Sequence, residues 1–494
     1  MYRWSRALSW LLFAASSAMA GEVHDHGAPE KLGDVSFAVS CDPAEQQPFN
    51  RAIALLHSFA YAAAEEAFNE IATKDPHCAM AYWGLAMVHF HPVWSPPLPP
   101  ESFGQAQQSM LHAAQLGAKT ARETGFIRAG GLLFQATPAL KPSQRTEAYE
   151  QAMAKVAADN PSDIESQVFY ALALLSNASP VDKTHAKQKQ AVAILEPLFR
   201  THPNHPGLAH YLIHACDSQE MAQQGLQAAR AYAKIAPSAP HALHMPSHIF
   251  TRLGLWDDSI QSNLASKQSA HRQGDAMGEL HAMDYLVYAY IQEGKDDDAE
   301  RVIEELNSMP SLDMNEFAIA YAATVMPIRM MVERGRWNDA AQAVEAANAP
   351  PSIRAIAIWS KGMGLARSGH PGDADAQAAR LHQIEKQLRD SGDAYWATQT
   401  SILADEVSAW SLQGRGDSDR ARFLLQGAAD QEDSLEKRPV TPGPVLPARE
   451  QLASLLALQG NPAAASDAYA AALIQAPGRR GALMGKAHVD QAIH

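Results

Sequence analysis

Four short stretches constrain this chain more than any other feature: "GLWDDSI" (254–260), "GKDDDAE" (294–300), "GRWNDAA" (335–341) and "GNPAAAS" (460–466). In each, a glycine is followed five residues later by a small residue: Ser259, Ala299, Ala340 or Ala465. Each lies between two stretches of helical apolar periodicity. The glycine can end one helix in a left-handed conformation without a Cβ penalty. The small residue then lets the returning helix pack closely on the first. One helical hairpin cannot bury its apolar face alone, so a chain punctuated this way must stack its hairpins in series.

The opening hairpin, "NRAIALLHSFAYAAAEEAFNEIATKDP", places Tyr61 at the turn, Ala64 and Phe68 in the second helix, and Pro76 at the close. "AMAYWGLAMVHF" follows, with Tyr82, Leu85 and Ala86 in matching places. This resembles the tetratricopeptide repeat, a helix–turn–helix unit of about 34 residues. Aligned turn glycines and closing prolines put unit starts near 45, 79, 164, 206, 240, 280, 321 and 446, with degenerate stretches near 101–160 and 352–445. The resemblance implies an all-α, right-handed superhelical solenoid of antiparallel helix pairs with a concave groove. It divides the chain into residues 1–20 (a targeting segment), 21–44 (an N-terminal segment), 45–350 (the array carrying a His-rich groove) and 351–494 (degenerate and C-terminal repeats). The Pro-rich stretches "HPVWSPPLPP" (91–100) and "RPVTPGPVLP" (438–447) are expected to be connectors or lids, because proline excludes helix there.

With 47% hydrophobic and 19% charged residues, the chain reads as folded. Its net charge of −14 lacks the basic footprint of nucleic-acid binding, so no such partner is expected. The first twenty residues combine Arg3 and Arg6, an apolar run from Ala7 to Ala15, and Ala18-Met19-Ala20. That is the pattern of a cleaved export signal, so a periplasmic or secreted protein is expected. No other stretch is long and apolar enough to span a bilayer. Export permits a disulfide. Of Cys41, Cys78 and Cys216, the first two flank the opening hairpin and are the favoured pair; the alternative is three buried thiols.

The chemistry is carried by histidine. "HYLIHACD" holds His210, His214 and Asp217; "HALHMPSHIF" holds His241, His244 and His248; the next unit holds His281, Asp284 and Tyr288. His210 to His244 is 34 residues, and so is His214 to His248, so one repeat period stacks two i,i+4 pairs on neighbouring helices. The resemblance implies that these positions line the groove. Histidine is the commonest side-chain metal ligand. His210, His214, His244, His248 and His281 are therefore the expected ligands of one transition metal ion (Zn, Cu or Fe), held beside a small-molecule ligand. Asp217, His241, Asp284 and Tyr288 are expected behind the ligands or along the groove. His57 and His91, again 34 apart, form a similar pair near the N-terminus. Pro246 is expected either to kink the helix and re-aim His244 relative to His248, or to start it late. The competing reading is a metal-free groove that binds a peptide or partner protein. No HExxH protease signature, phosphate loop or serine elbow is present, so the motifs name no reaction. "HALHMPSHIF" is similar to segments of exported bacterial repeat proteins.

N-terminal sequencing of exported material should begin at Gly21; an intact Met1 would remove the export assignment.

Overall fold

A computed structural model describes residues 30–93, 98–135, 140–437 and 441–493; the export signal lies outside the described residues. Those residues form helices and connecting loops, with no strand among them. Ten helices make the first five pairs: α1 (Gln46–His57) with α2 (Tyr61–Lys74), α3 (Ala79–Met87) with α4 (Pro100–Leu116), α5 (Ala121–Leu133) with α6 (Pro142–Asp159), α7 (Ile164–Ser176) with α8 (Ala186–Thr201), and α9 (Pro206–Ala215) with α10 (Ala222–Ile235). The sixth pair has a divided first helix, α11 (Pro240–His244) and α12 (Pro246–Arg252), packed on α13 (Trp256–Gln273). Then come α14 (Ala276–Glu293) with α15 (Asp296–Ser308), α16 (Phe317–Glu333) with the short α17 (Trp337–Ala340), and α18 (Pro351–Arg367) with α19 (Pro371–Asp390). The chain closes with α20 (Ala394–Gly414) and α21 (Ser418–Asp433), α22 (Ala448–Leu458) and α23 (Pro462–Gln475), and the final α24 (Arg480–Ile493).

The turn motif accounts for the hairpins it was read from, in the second half of the chain. Gly254, Gly294, Gly335 and Gly460 all have positive φ, between 64° and 75°. Ser259, Ala299, Ala340 and Ala465 are fully buried at the hairpin seams. The helices begin at Gln46, Ala79, Ile164, Pro206, Pro240, Ala276, Phe317 and Ala448, each within a few residues of an expected unit start. Proline at the first helical position recurs in α9, α11, α12, α19 and α23, where its missing N–H costs nothing.

The solenoid curls until it touches itself, twice. In the first turn the inner helices run α1, α3, α5, α7, α9, and α9 returns to contact α1. In the second, α14 through α24 close in the same way, with α24 against α14. Among the described residues, the segment 30–41 threads along the interior of the first turn. The Phe37 ring is fully buried among Phe49, Trp83, Phe126 and Phe169, with centroid distances of 5.1–6.3 Å. The same segment bonds Ser238 through Lys31, Asn204 through Asp34, and Glu123 through Ser40. Cys41 at its end is disulfide-bonded to Cys78, with Cα atoms 4.7 Å apart, while Cys216 is a buried thiol. Of the second Pro-rich stretch, residues 441–447 are irregular and reach back over α14 and α16: Tyr285 donates to the Thr441 carbonyl at 3.2 Å, and Arg329 to that of Pro444 at 2.8 Å. This stretch covers the interior as well as connecting helices. No helix among the described residues is long and apolar enough to cross a membrane.

Replacing Cys41 and Cys78 together by Ser should lower stability by about 3–4 kcal/mol, since the bridge closes a 37-residue loop. Denaturant midpoints with and without reductant measure this; coincident curves would show that the bridge is not formed in solution.

Candidate metal centre

Six imidazoles meet where the two turns join. His210 and His214 come from α9, His241 and His244 from α11, His248 from α12 and His281 from α14. Pro246 explains how one short segment supplies three of them. It cannot donate to the Ala242 carbonyl, so the helix breaks between His244 and Pro246. Met245 keeps near-helical angles (φ −53°, ψ −34°), so the break is a kink and not a late start.

The imidazoles sort into two triplets. Donor nitrogens of His210, His214 and His241 lie within 4.8 Å of one another, and so do those of His244, His248 and His281. This differs from the expected single site shared by the two i,i+4 pairs. Each pair stays together, but in a different triplet, and His241, expected only along the groove, completes the first.

The outer nitrogens fix the tautomers. His210 Nδ1 lies 2.6 Å from the His57 carbonyl, which can only accept, so this nitrogen carries the proton. His244 Nδ1 lies 2.6 Å from Asn263 Oδ1; the Asn263 amide nitrogen donates to the Ser259 carbonyl at 2.8 Å, which sets the orientation. His248 Nδ1 lies 2.9 Å from Asp217 Oδ2. When neutral, all three therefore present bare Nε2 lone pairs inward. His244 Nε2 and His248 Nε2 face each other at 3.0 Å. Neither has a proton to give the other, so the contact requires a cation or an added proton between them. A proton is disfavoured: burial first, then the neighbouring imidazoles, hold His210, His214, His241, His244 and His281 well below the usual histidine range. Burial also lowers His248, against the pull of Asp217.

The surroundings complete the picture. Burial alone would raise the Asp217 carboxyl, but Lys437 and Arg252 outweigh it and hold it well below the usual range. Lys437 Nζ is 3.0 Å and Arg252 Nε 2.9 Å from its oxygens. Burial drives Lys437 down to about 8 despite that partner. The Tyr285 ring stands 4.8 Å from His244, 5.0 Å from His248 and 5.3 Å from His281. A cavity of about 200 Å³ reaches this junction, with His214, Asp217, Lys437, His185 and Val93 in its wall. Both ring nitrogens of His214 are buried without a hydrogen-bond partner.

Other expected residues sit elsewhere. His57 is fully buried in a separate network: Nε2 bonds Glu165 at 2.8 Å, Nδ1 bonds the Tyr211 hydroxyl at 3.0 Å, and His205 bonds the other Glu165 oxygen at 3.0 Å. Its link to the triplets is its carbonyl. Burial would raise Glu165, but His57 and His205 keep it below the usual range. Those three groups could also surround an ion, yet their polar atoms are already satisfied. His91 stacks on Tyr61 at 4.1 Å and bonds the Val88 carbonyl, away from both triplets. Tyr288 accepts from Arg479 at 3.2 Å; Tyr285, one turn earlier, is the tyrosine at the triplets. Asp284 is buried without a hydrogen-bond partner, and burial raises it to about 6 against the pull of Arg329.

No family model matches the chain, and no curated protein matches it in sequence. Among solved structures, an IFIT1 variant with m7Gppp-AAAA is similar at 11% identity over 92% of this chain and 96% of that one, with a TM-score of 0.38. The Naa15/Naa10 structure bound to HypK-THB is similar at 10% identity and a TM-score of 0.26; this chain covers 62% of its length. Similarity at that level says nothing about what this chain binds.

The lowered imidazoles set a pH dependence for the metal-free protein. Below about pH 6.5 each binds fewer protons folded than unfolded, so stability falls as pH falls. Each imidazole that stays neutral contributes a slope of about 1.4 kcal/mol per pH unit. Carboxyls that burial raises oppose this: Asp284 to about 6, Glu432 to about 7, and Glu406, Glu450 and Asp405 upward. The imidazole share is read by comparison: urea midpoints of metal-free protein should fall more between pH 7 and pH 5 than those of His244→Ala, and equal falls would contradict the burial of a neutral imidazole there.

Proposed function

We propose that this is an exported solenoid protein that binds transition metal ions at two adjacent three-imidazole sites and takes up a small molecule beside them. The observation that carries this reading is the His244–His248 contact, where two lone pairs meet at 3.0 Å while both outer N–H groups are committed to Asn263 and Asp217. Metal-ligating histidines ordinarily donate their second nitrogen to a carbonyl or carboxylate in this way. An ion about 2.0–2.1 Å from each nitrogen converts the opposed lone pairs into bonds. Zn, Cu and Fe all suit imidazole. The cavity beside His214 supports entry of a small ligand from the first triplet's side. Export is supported by the signal pattern at residues 1–20 and agrees with the Cys41–Cys78 bridge. A peptide-binding scaffold gains less support, since the first turn's interior holds the chain's own Phe37 segment.

Elemental analysis of untagged protein should give about two transition metal ions per chain, one per triplet. His244→Ala should remove one of them while helicity survives, because the solenoid rests on contacts between neighbouring pairs. Protein with intact helicity that neither retains nor takes up metal would defeat the reading and leave the scaffold in its place.

A further inference from the structure

We propose that the two triplets hold a pair of copper ions acting together, and that the small molecule they bind is dioxygen. This deepens the metal reading and rests on it.

The spacing argues for a pair. Between the triplets, the His241 and His244 rings are 6.2 Å apart and the His214 and His248 rings 6.4 Å. Within the triplets, the longest separations are 6.3 Å, from His214 to His241, and 6.1 Å, from His248 to His281. The nearest rings of the two triplets are thus as far apart as the farthest rings within one, so the triplets adjoin, and a small ligand between them can reach both ions.

The donor set argues for copper. Among the described residues both triplets are all-imidazole, with no carboxylate in either. The carboxylate behind His248, Asp217, is turned outward and held by Arg252 and Lys437. Two divalent ions on six neutral ligands would bring four positive charges into a buried site whose nearest carboxylates, Asp217 and Glu436, are already paired with Arg252 and Lys437. Uncompensated buried charge is expensive. Two Cu(I) ions bring only two, and imidazole suits copper. Oxygenation leaves that charge unchanged. Each Cu(I) gives up one electron, dioxygen takes both and becomes a peroxide dianion between two Cu(II) ions, and the total stays at plus two. Release reverses the transfer, so no proton and no external reductant is consumed.

The walls argue for a diatomic ligand. Tyr285 closes one side of the second triplet, while Phe59 and Tyr232 pack 4.4 Å and 5.1 Å from His210. The approach is the cavity at His214, whose nitrogens have no hydrogen-bond partner.

The test loads metal-free full-length protein with Cu(I) without air, counts copper, then admits dioxygen while following gas uptake and the Cu(II) spin signal. About two coppers per chain are expected, with one dioxygen taken up per pair and a spin signal under about a tenth of total copper, because paired Cu(II) spins cancel. His244→Ala should bind one copper, take up no dioxygen and stay spin-silent as Cu(I); His214→Ala, at the cavity wall, serves if that variant does not fold. Two coppers that stay Cu(I) with no uptake, or that consume dioxygen and then show the full spin signal of isolated Cu(II), would overturn the pair while leaving metal binding intact. Uptake of zinc but not copper would overturn the choice of metal. No metal of any kind would overturn this inference and the reading beneath it.

Discussion

The second half of the structure depends on the seam inside the hairpins from α11 to α23, where a left-handed glycine turns the chain and a buried small residue lets the helices close up. That contact sets how each of these pairs leans on the next, and the lean, repeated, curls the array until α24 meets α14; the first turn, where α9 meets α1, closes without such a glycine. Gly254 shows the two scales in one residue. A Cβ there would sit 2.5 Å from the Pro477 carbonyl oxygen, because the turn opening the second closure also receives the chain end that completes it. Trp256 then donates to the Gly478 carbonyl at 3.1 Å.

The second closure is locked by buried charge. Arg479 is fully buried, 2.8 Å from Glu450 and 2.9 Å from Glu333, and it donates to Tyr288. Removing one partner from such a network typically costs about 3–5 kcal/mol, since a charge is left uncompensated. The result is a fixed junction between the turns, with α14 anchored by its own neighbours and by the chain end. Only a fixed junction can hold six imidazoles at set separations when they come from α9, α11, α12 and α14.

Much of this is legible in the residues, for a local reason. The Gly254–Ser259 spacing, the closing prolines and Pro246 act within a few residues, so their consequences follow from backbone sterics. The 34-residue offset between His210 and His244 likewise brings neighbouring helices together. What escaped has long-range causes. His241 joins the first triplet because the kink at Pro246 leaves α11 facing α9. Spacing points to Tyr288, yet Tyr285, one turn from His281, stands at the triplets, while Tyr288 is drawn to the chain end by Arg479. The carbonyl that sets the His210 tautomer belongs to His57, and the lysine beside Asp217 is Lys437. No periodicity links those positions. Nor does any pattern announce that residues 30–41 fill the first turn, since their contacts run to Asn50, Glu123, Asn204 and Ser238.

The position of the histidines then follows from what a closed solenoid leaves free. Within each turn the inner faces are committed to one another or, in the first turn, to Phe37, and the carboxylate of Glu165 there is paired on both sides by His57 and His205. At the junction, the inner faces of α9, α11, α12 and α14 meet from two turns of different origin, and the covering residues come from the distant segments 435–437 and 441–447. Three of the imidazoles facing that space, His210, His244 and His248, are held from behind by the His57 carbonyl, the Asn263 amide oxygen and the Asp217 carboxylate, while their inner atoms face other imidazoles. Neutral imidazoles suit this position, because they tolerate burial where carboxylates would need partners. Opposed lone pairs are the cost of that arrangement, and a ligand that satisfies them binds the folded state alone. Its binding free energy then adds to the stability of the junction. A metal ion here would hold the two turns together as well as act between them.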